Sequence, residues 1–250
     1  MRTIKFFAIA TFLSIVTNAF AQSATSSSPS TSATSDNWHR VWIEYDPSKF
    51  KDTENDDNDI SFTGFACGYS RSFHLSQNTP LFIEGGFGIQ YSFFTKDYTS
   101  HVAEKAGVST SVVSSLMDPK AKFHMFSAKV PINIMYAYHL PNDAIEIIPF
   151  AGITARYNIS GEMELKYNFT SLASSYGIDP YNFPDKDVDI FDSKDMGNSA
   201  FERLQIGWQI GVNARFSKKY MVGLSYGNDF SEISHDTKVQ TIGISLSCCF

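Results

Sequence analysis

Seven charged residues stand out by position: Glu44, Glu84, Lys129, Arg156, Glu162, Arg203 and Arg215. Each falls, by alternation, on the small polar side of a two-faced stretch. A charge removed from water must find a partner or keep its hydration. These residues therefore predict an interior ion-pair network in which Glu84 meets one or more of Lys129, Arg156 and Arg215. Such a network fills and rigidifies a closed interior; the same groups could alternatively line a gated or proton-conducting path.

Hydrolytic chemistry would need a serine, a base and an acid on one surface. His124 and Ser127 are three residues apart on a predicted strand, hence on opposite faces, and no catalytic residue is assigned. His39, His74, His101, His139 and His235 lie near strand ends or in loops and have no metal-ligand spacing, so neither metal nor cofactor is expected. The run Asp52, Glu54, Asp56, Asp57 and Asp59 offers the oxygen ligands that hard cations prefer. It lacks the glycine of a helix-loop-helix calcium site, and a solvated acidic loop is the plainer reading. Between the two lies divalent-ion bridging to anionic lipopolysaccharide headgroups, to which Asp185 to Asp195 and Gly227 to Asp236 could contribute.

The elements that position these residues are strands. From Gln240 to Phe250 the even positions Ile242, Ile244, Leu246, Cys248 and Phe250 are apolar, and the odd ones are small and mostly polar. Side chains of a β-strand alternate between faces, so this stretch is a two-faced strand. The same pattern predicts strands over Trp38 to Asp46, Ile60 to Phe73, Leu81 to Thr95, Lys122 to His139, Ala144 to Tyr167, Arg203 to Phe216 and Tyr220 to Gly227, eight in all. Trp42 breaks the polar face of the first. Pro131 is an objection to the fourth, because proline cannot donate to a sheet ladder. Lys51 to Asp59 is an acidic loop, Lys96 to Lys120 has weak helical character, and Asn168 to Ser199 is a second long loop. The three cysteines, Cys67, Cys248 and Cys249, form no disulfide framework and read as packing residues.

Upstream, Arg2 and Lys5 precede the apolar run Phe6 to Val16 and an Ala19-Phe20-Ala21 cleavage site, which predicts a signal peptide over 1–21. Residues 22–37 form a flexible Ser/Thr-rich linker, and 38–250 form one domain. Without the signal, 18 basic residues face 26 acidic ones, a net charge of −8 that argues against a nucleic-acid partner. Charged residues are only 18 % of the chain and aromatics 15 %, a balance suited to membrane-interface aromatic girdles.

Two architectures use such strands. A sandwich turns its apolar face inward and its charges to water. An outer-membrane barrel turns the apolar face to lipid and a small polar face to the lumen. Here the polar face is Gly, Ala, Ser, Asn and Gln with isolated charges. Connections are tight after strands two, four and six and long after one, three, five and seven, which collects all long loops at one end. The expectation is an all-β, eight-stranded antiparallel up-and-down transmembrane β-barrel, with both termini periplasmic and a lumen filled by side chains.

The stretches GFACGYSRSF (Gly64 to Phe73), LFIEGGFGIQYSF (Leu81 to Phe93) and FSAKVPINIMYAY (Phe126 to Tyr138), with a terminal Phe, resemble the PorT-like outer-membrane protein β-barrel domain family. Pro131 matches the Val-Pro of such sequences. The resemblance implies an integral barrel of the bacterial outer membrane. Expected partners are outer-membrane lipid, lipopolysaccharide, the barrel-assembly machinery, for which Phe250 would be the C-terminal signal, and an unidentified surface protein or glycan. The expected role is envelope-structural or surface-interacting. The alternatives are an accessory barrel for transport or secretion and a lipid-modifying outer-membrane enzyme.

Overall fold

The computed structural model describes residues 37–52, 60–76, 79–97, 99–140, 145–169, 186–192, 194, 200–233 and 237–250. The expected signal peptide, the linker up to residue 36, Glu54, Asp56, Asp57, Asp59 and the turn Pro141-Asn142-Asp143 lie outside the described residues. The strands are β1 (Trp38–Tyr45), β2 (Ser48–Asp52), β3 (Ile60–Ser76), β4 (Thr79–Asp97), β5 (Met117–Tyr136), β6 (Tyr138–His139), β7 (Ile145–Phe169), β8 (Lys186–Asp189), β9 (Leu204–Phe216), β10 (Tyr220–Asp229) and β11 (Thr237–Cys249). Two helices, α1 (Thr99–Ala106) and α2 (Thr110–Leu116), join β4 to β5.

These strands close into a ring. β1 pairs antiparallel with both β3 and β11, and β2 pairs with the same two strands further along. β1 and β2 are therefore two halves of one wall, broken at Asp46-Pro47. β6 continues β5 against β7, and β8 is added to the far end of β7. Counted in this way, the described residues form an eight-walled antiparallel up-and-down barrel. Asp52, expected in the acidic loop, instead belongs to β2, opposite Thr237. β8 lies within the segment expected to be a long loop.

The apolar rows face outward over the whole circumference. Ile134, Leu224 and Ile244 are 55 %, 54 % and 49 % exposed, whereas Ser70, Glu84 and Asn158 on the opposite face are 0 % exposed. No second sheet covers the apolar rows among the described residues. Pro131 sits inside β5, opposite Thr154 of β7. Toward β4 the ladder runs Gly85↔Ile132 and then Gly88↔Lys129, so the residues around Pro131 are skipped without a change of register.

The lumen has three storeys. Near the short turns, Trp38, Phe82, Met135, Ile148, Met221 and Cys249 form an apolar layer. At the long-loop end, Phe50, Phe62, Phe94, Phe123, Met125, Ile190, Ile233 and Val239 form another. Most of the buried polar residues lie between them. The expectation of small polar residues throughout the interior thus holds only for the middle storey. Trp42 belongs there too: it is 4 % exposed and its ring lies against Gly68 and Gly88. A Cβ on Gly88 would stand 2.7 Å from the Trp42 ring and 2.6 Å from the Cys67 carbonyl oxygen.

Gly88→Val should therefore overfill this layer and lower stability by about 1–3 kcal/mol, read as an earlier urea midpoint of the detergent-folded barrel. A second prediction concerns α1. Hydrogen bonds from Thr99, including its amide at 2.7 Å, hold the Asp97 carboxyl below the usual carboxylate range. Because the folded value is the lower one, this cap is fully present above the ordinary value, about 4, and is lost as pH falls through the folded value. Exchange protection of the α1 amides should fall in that acid window, and Asp97→Ala should abolish the pH dependence.

Candidate functional site in the barrel lumen

The middle storey gathers charges from walls that are not neighbours. Glu84 on β4 accepts hydrogen bonds at Oε1 from Arg40 Nη2 (2.8 Å) and Asn133 Nδ2 (3.2 Å), and at Oε2 from Ser70 Oγ (3.2 Å) and Ser72 Oγ (3.3 Å). Arg40 also donates from Nε to Ser70 Oγ at 2.9 Å. The cation expected beside Glu84 was Lys129, Arg156 or Arg215; the structure places Arg40 there.

Lys129 Nζ, on β5, donates to Glu44 Oε2 on β1 at 2.7 Å and lies 3.7 Å from Asp46 Oδ2. Arg156 on β7 pairs with Asp229 on β10. Arg215 on β9 pairs with Glu146 on β7 and stacks 4.1 Å from the Trp38 ring centroid. Arg203 is not part of this storey. It donates to the backbone carbonyls of Asn158 (3.2 Å) and Ile159 (3.1 Å) and lies over the Phe191 ring. These carbonyls belong to a bulge, where the β5–β7 register shifts between Phe126 and Ser127. The bulge reverses the alternation of β7 beyond it. Glu162, expected inward, is exposed and stands opposite His124 on the outer surface.

Arg215 and Glu146 are ladder partners at the short-turn rim, level with the apolar layer of Trp38 and Met221. Among the described residues the middle storey holds the cations Arg40, Lys129 and Arg156 against the carboxylates Glu44, Asp46, Glu84 and Asp229. Asp46 is 0 % exposed, and neither of its carboxylate oxygens takes a hydrogen bond. Two cavities of ≈ 40 and ≈ 30 Å³ flank the Lys129–Glu44 pair, and both residues line each of them. Each is above the roughly 10–15 Å³ that a single water needs. One reaches Arg40, Asn133 and Asn213; the other reaches Arg156, Asp229 and Thr241.

The partners that sequence reasoning missed, Arg40, Asp46, Glu146 and Asp229, all sit at inward parity on their walls. Arg40 and Asp46 share it with Trp42, Glu146 with Gly152, and Asp229 with Gly227. That parity was the available signal. On the hydrolytic side, His124 points outward and its Nδ1 is 2.6 Å from the Tyr91 hydroxyl, while Ser127 points inward and donates to Asn158 Oδ1 at 2.7 Å.

No family model matches the chain, and no curated protein matches it. Among solved structures it resembles Ail, the attachment invasion locus protein of Yersinia pestis, at 12 % identity and TM-score 0.40, over 86 % of this chain and 99 % of that one. Neisserial surface protein A matches at 10 % identity and TM-score 0.38, over 84 % and 96 %. A major outer membrane protein from Thermus thermophilus matches at 12 % identity and TM-score 0.40, over 85 % and 99 %. Likeness of that order transfers no role to this chain. The eight-walled ring stands on its own strand pairings.

Removing one member of a buried, fully bonded pair strands the other. Glu84→Ala should cost about 3–5 kcal/mol by urea unfolding. Replacing both partners, Arg40→Met with Glu84→Leu, should recover most of that loss.

Proposed function

We propose that this protein is an integral β-barrel of the bacterial outer membrane with a closed lumen, serving an envelope-structural or surface-interaction role. The observation that carries the reading is the continuous, exposed apolar belt on a closed ring. In water, exposed rows of Ile, Leu, Val, Phe and Tyr on this scale would be an aggregation surface. Against acyl chains they are the expected lining, and closure leaves no unpaired edge in the hydrocarbon.

The aromatic distribution supports the same reading. Tyr136, Tyr138, Phe216 and Tyr220 stand at the short-turn end of the belt, and Tyr45, Tyr91, Phe93 and Tyr226 stand toward the other. Interfacial girdles of this kind bracket a bilayer. β1 begins, and β11 finishes, at the short-turn end. A periplasmic short-turn end places both of those points in the periplasm and presents α1, α2, β8 and the long connections to the outside. The three stretches that resemble the PorT-like family are walls of this ring.

The two apolar storeys and the charge pairs between them favour a structural or displaying role over passage through the lumen. The strands β4, β5 and β7, 19, 20 and 25 residues long, exceed the roughly 9–11 residues a tilted strand needs to cross. The excess forms a platform beyond the bilayer, suited to contact with a surface protein, a glycan or lipopolysaccharide.

The test is fractionation and gel migration. The protein should partition with outer membranes, and the detergent-extracted barrel should migrate faster unheated than boiled. Protease added to intact cells should cut within residues 96–120 and leave the barrel protected. Recovery in a soluble fraction, or identical migration before and after boiling, would overturn the reading.

A further inference from the structure

Arg71 interrupts the outward apolar row of β3. Along the strand it lies between Tyr69 and Phe73, and it is exposed, while its neighbours Ser70 and Ser72 are buried in the lumen. Among the described residues its guanidinium takes no hydrogen bond and no ion pair; it lies 4.7 Å from the Phe73 ring centroid. Opposite it on one side is His39 of β1, whose ring bonds the Tyr69 hydroxyl and stacks on Phe250. Opposite it on the other side is Gly85 of β4. A side chain built on Gly85 would meet nothing within 4 Å, so the outer wall has a notch beside the cation. The apolar flanks of that notch are Ile83, Phe87 and Ile132.

A guanidinium on the lipid-facing wall is costly unless it finds an anion or reaches the interface. Arg71 stands at the level of Phe250, at the short-turn end of the belt, within reach of the headgroup layer. Arginine presents a planar fork that matches a phosphate with two parallel hydrogen bonds. A cation, a neighbouring tyrosine-imidazole pair and an apolar notch together fit one molecule with a phosphate head and an acyl tail.

We propose that Arg71 and the Gly85 notch form a binding site for a glycerophospholipid of the membrane leaflet at the short-turn end, with the phosphodiester on Arg71 and an acyl chain in the notch. This proposal rests on the membrane-barrel reading above. The ligand is a lipid and not free phosphate, because the notch is apolar and faces the same way as the belt.

The full chain, folded in detergent carrying phosphatidylglycerol, is examined by native mass spectrometry. The wild type should retain phosphatidylglycerol, retain no diacylglycerol, and keep its lipid against inorganic phosphate. Arg71→Gln should lower occupancy roughly fivefold, the worth of one cation at an anionic membrane surface. Arg71→Lys should restore part of it. Gly85→Val, whose Cβ would meet nothing within 4 Å, should weaken retention while leaving gel migration unchanged. Equal retention by wild type and Arg71→Gln, equal retention of diacylglycerol, or displacement by inorganic phosphate would each overturn the proposal. Heat-dependent migration is checked for every variant. A wild type that shows none overturns the membrane-barrel reading and this site with it, whereas a normal shift with no lipid preference overturns the site alone.

Discussion

Pairing of buried charge is the constraint on which this barrel depends. Its apolar rows face outward, so they supply no core, and the interior must be held by what the lumen contains. Arg40 to Glu84 reaches from β1 past β3 to β4; Lys129 to Glu44 joins β5 to β1; Arg156 to Asp229 joins β7 to β10 across β9. Each pair ties walls that share no ladder. Backbone hydrogen bonds fix each wall to its neighbours, and the ion pairs fix the cross-section. A buried pair gains stability only when its remaining donors and acceptors are met. Glu84, with four donors on two oxygens, meets that condition fully.

The apolar storeys above and below give these pairs their strength. Water is excluded at one end by Trp38, Phe82, Met135 and Ile148, and at the other by Phe50, Phe62, Phe94 and Phe123. Between them the effective dielectric falls, so both the attraction of a met charge and the cost of an unmet one rise. Asp46 is the residue where the balance is least complete, since Lys129 is shared between it and Glu44. The two small polar cavities beside that shared lysine are where hydration can compensate. Glycine completes the design: Gly68 and Gly88 give Trp42 room in a lumen otherwise too narrow for it.

Most of this fold was legible because a strand has a period of two. Eight alternating stretches follow from that period, and the outward direction of the apolar rows follows from the small polar residues opposite them and the alternation of short and long connections. Ser217 and Lys218, with φ of 50° and 58°, make the tight turn expected at Ser217-Lys218-Lys219 despite lacking glycine. The misses have local causes. β2 was hidden because Asp46-Pro47 interrupts the alternation of the first wall. β8 is four residues that add to a longer strand, and its pattern is too brief to separate from loop. The inner apolar storey at the loop end draws on Ile190 and Ile233, which come from connections and not from the main strands.

The site was less legible than the fold because parity places a side chain on a face but does not choose its partner. Arg40, Glu146 and Asp229 carry inward parity as plainly as Glu84 does, yet which acid meets which base depends on strand stagger around the ring. Parity itself fails at one point. The β7 bulge, clamped by Arg203 on two backbone carbonyls, shifts the count so that Met163 and Leu165 turn in and Glu162 turns out. Bulges re-aim side chains at barrel rims, and here the change comes where the lumen passes from polar to apolar lining. Polar Asn158 bonds Ser127 below the bulge, and Met163 joins the aromatic storey above it. One extra residue thus lets a single strand line both storeys on its inner face, which uninterrupted alternation of this sequence could not do.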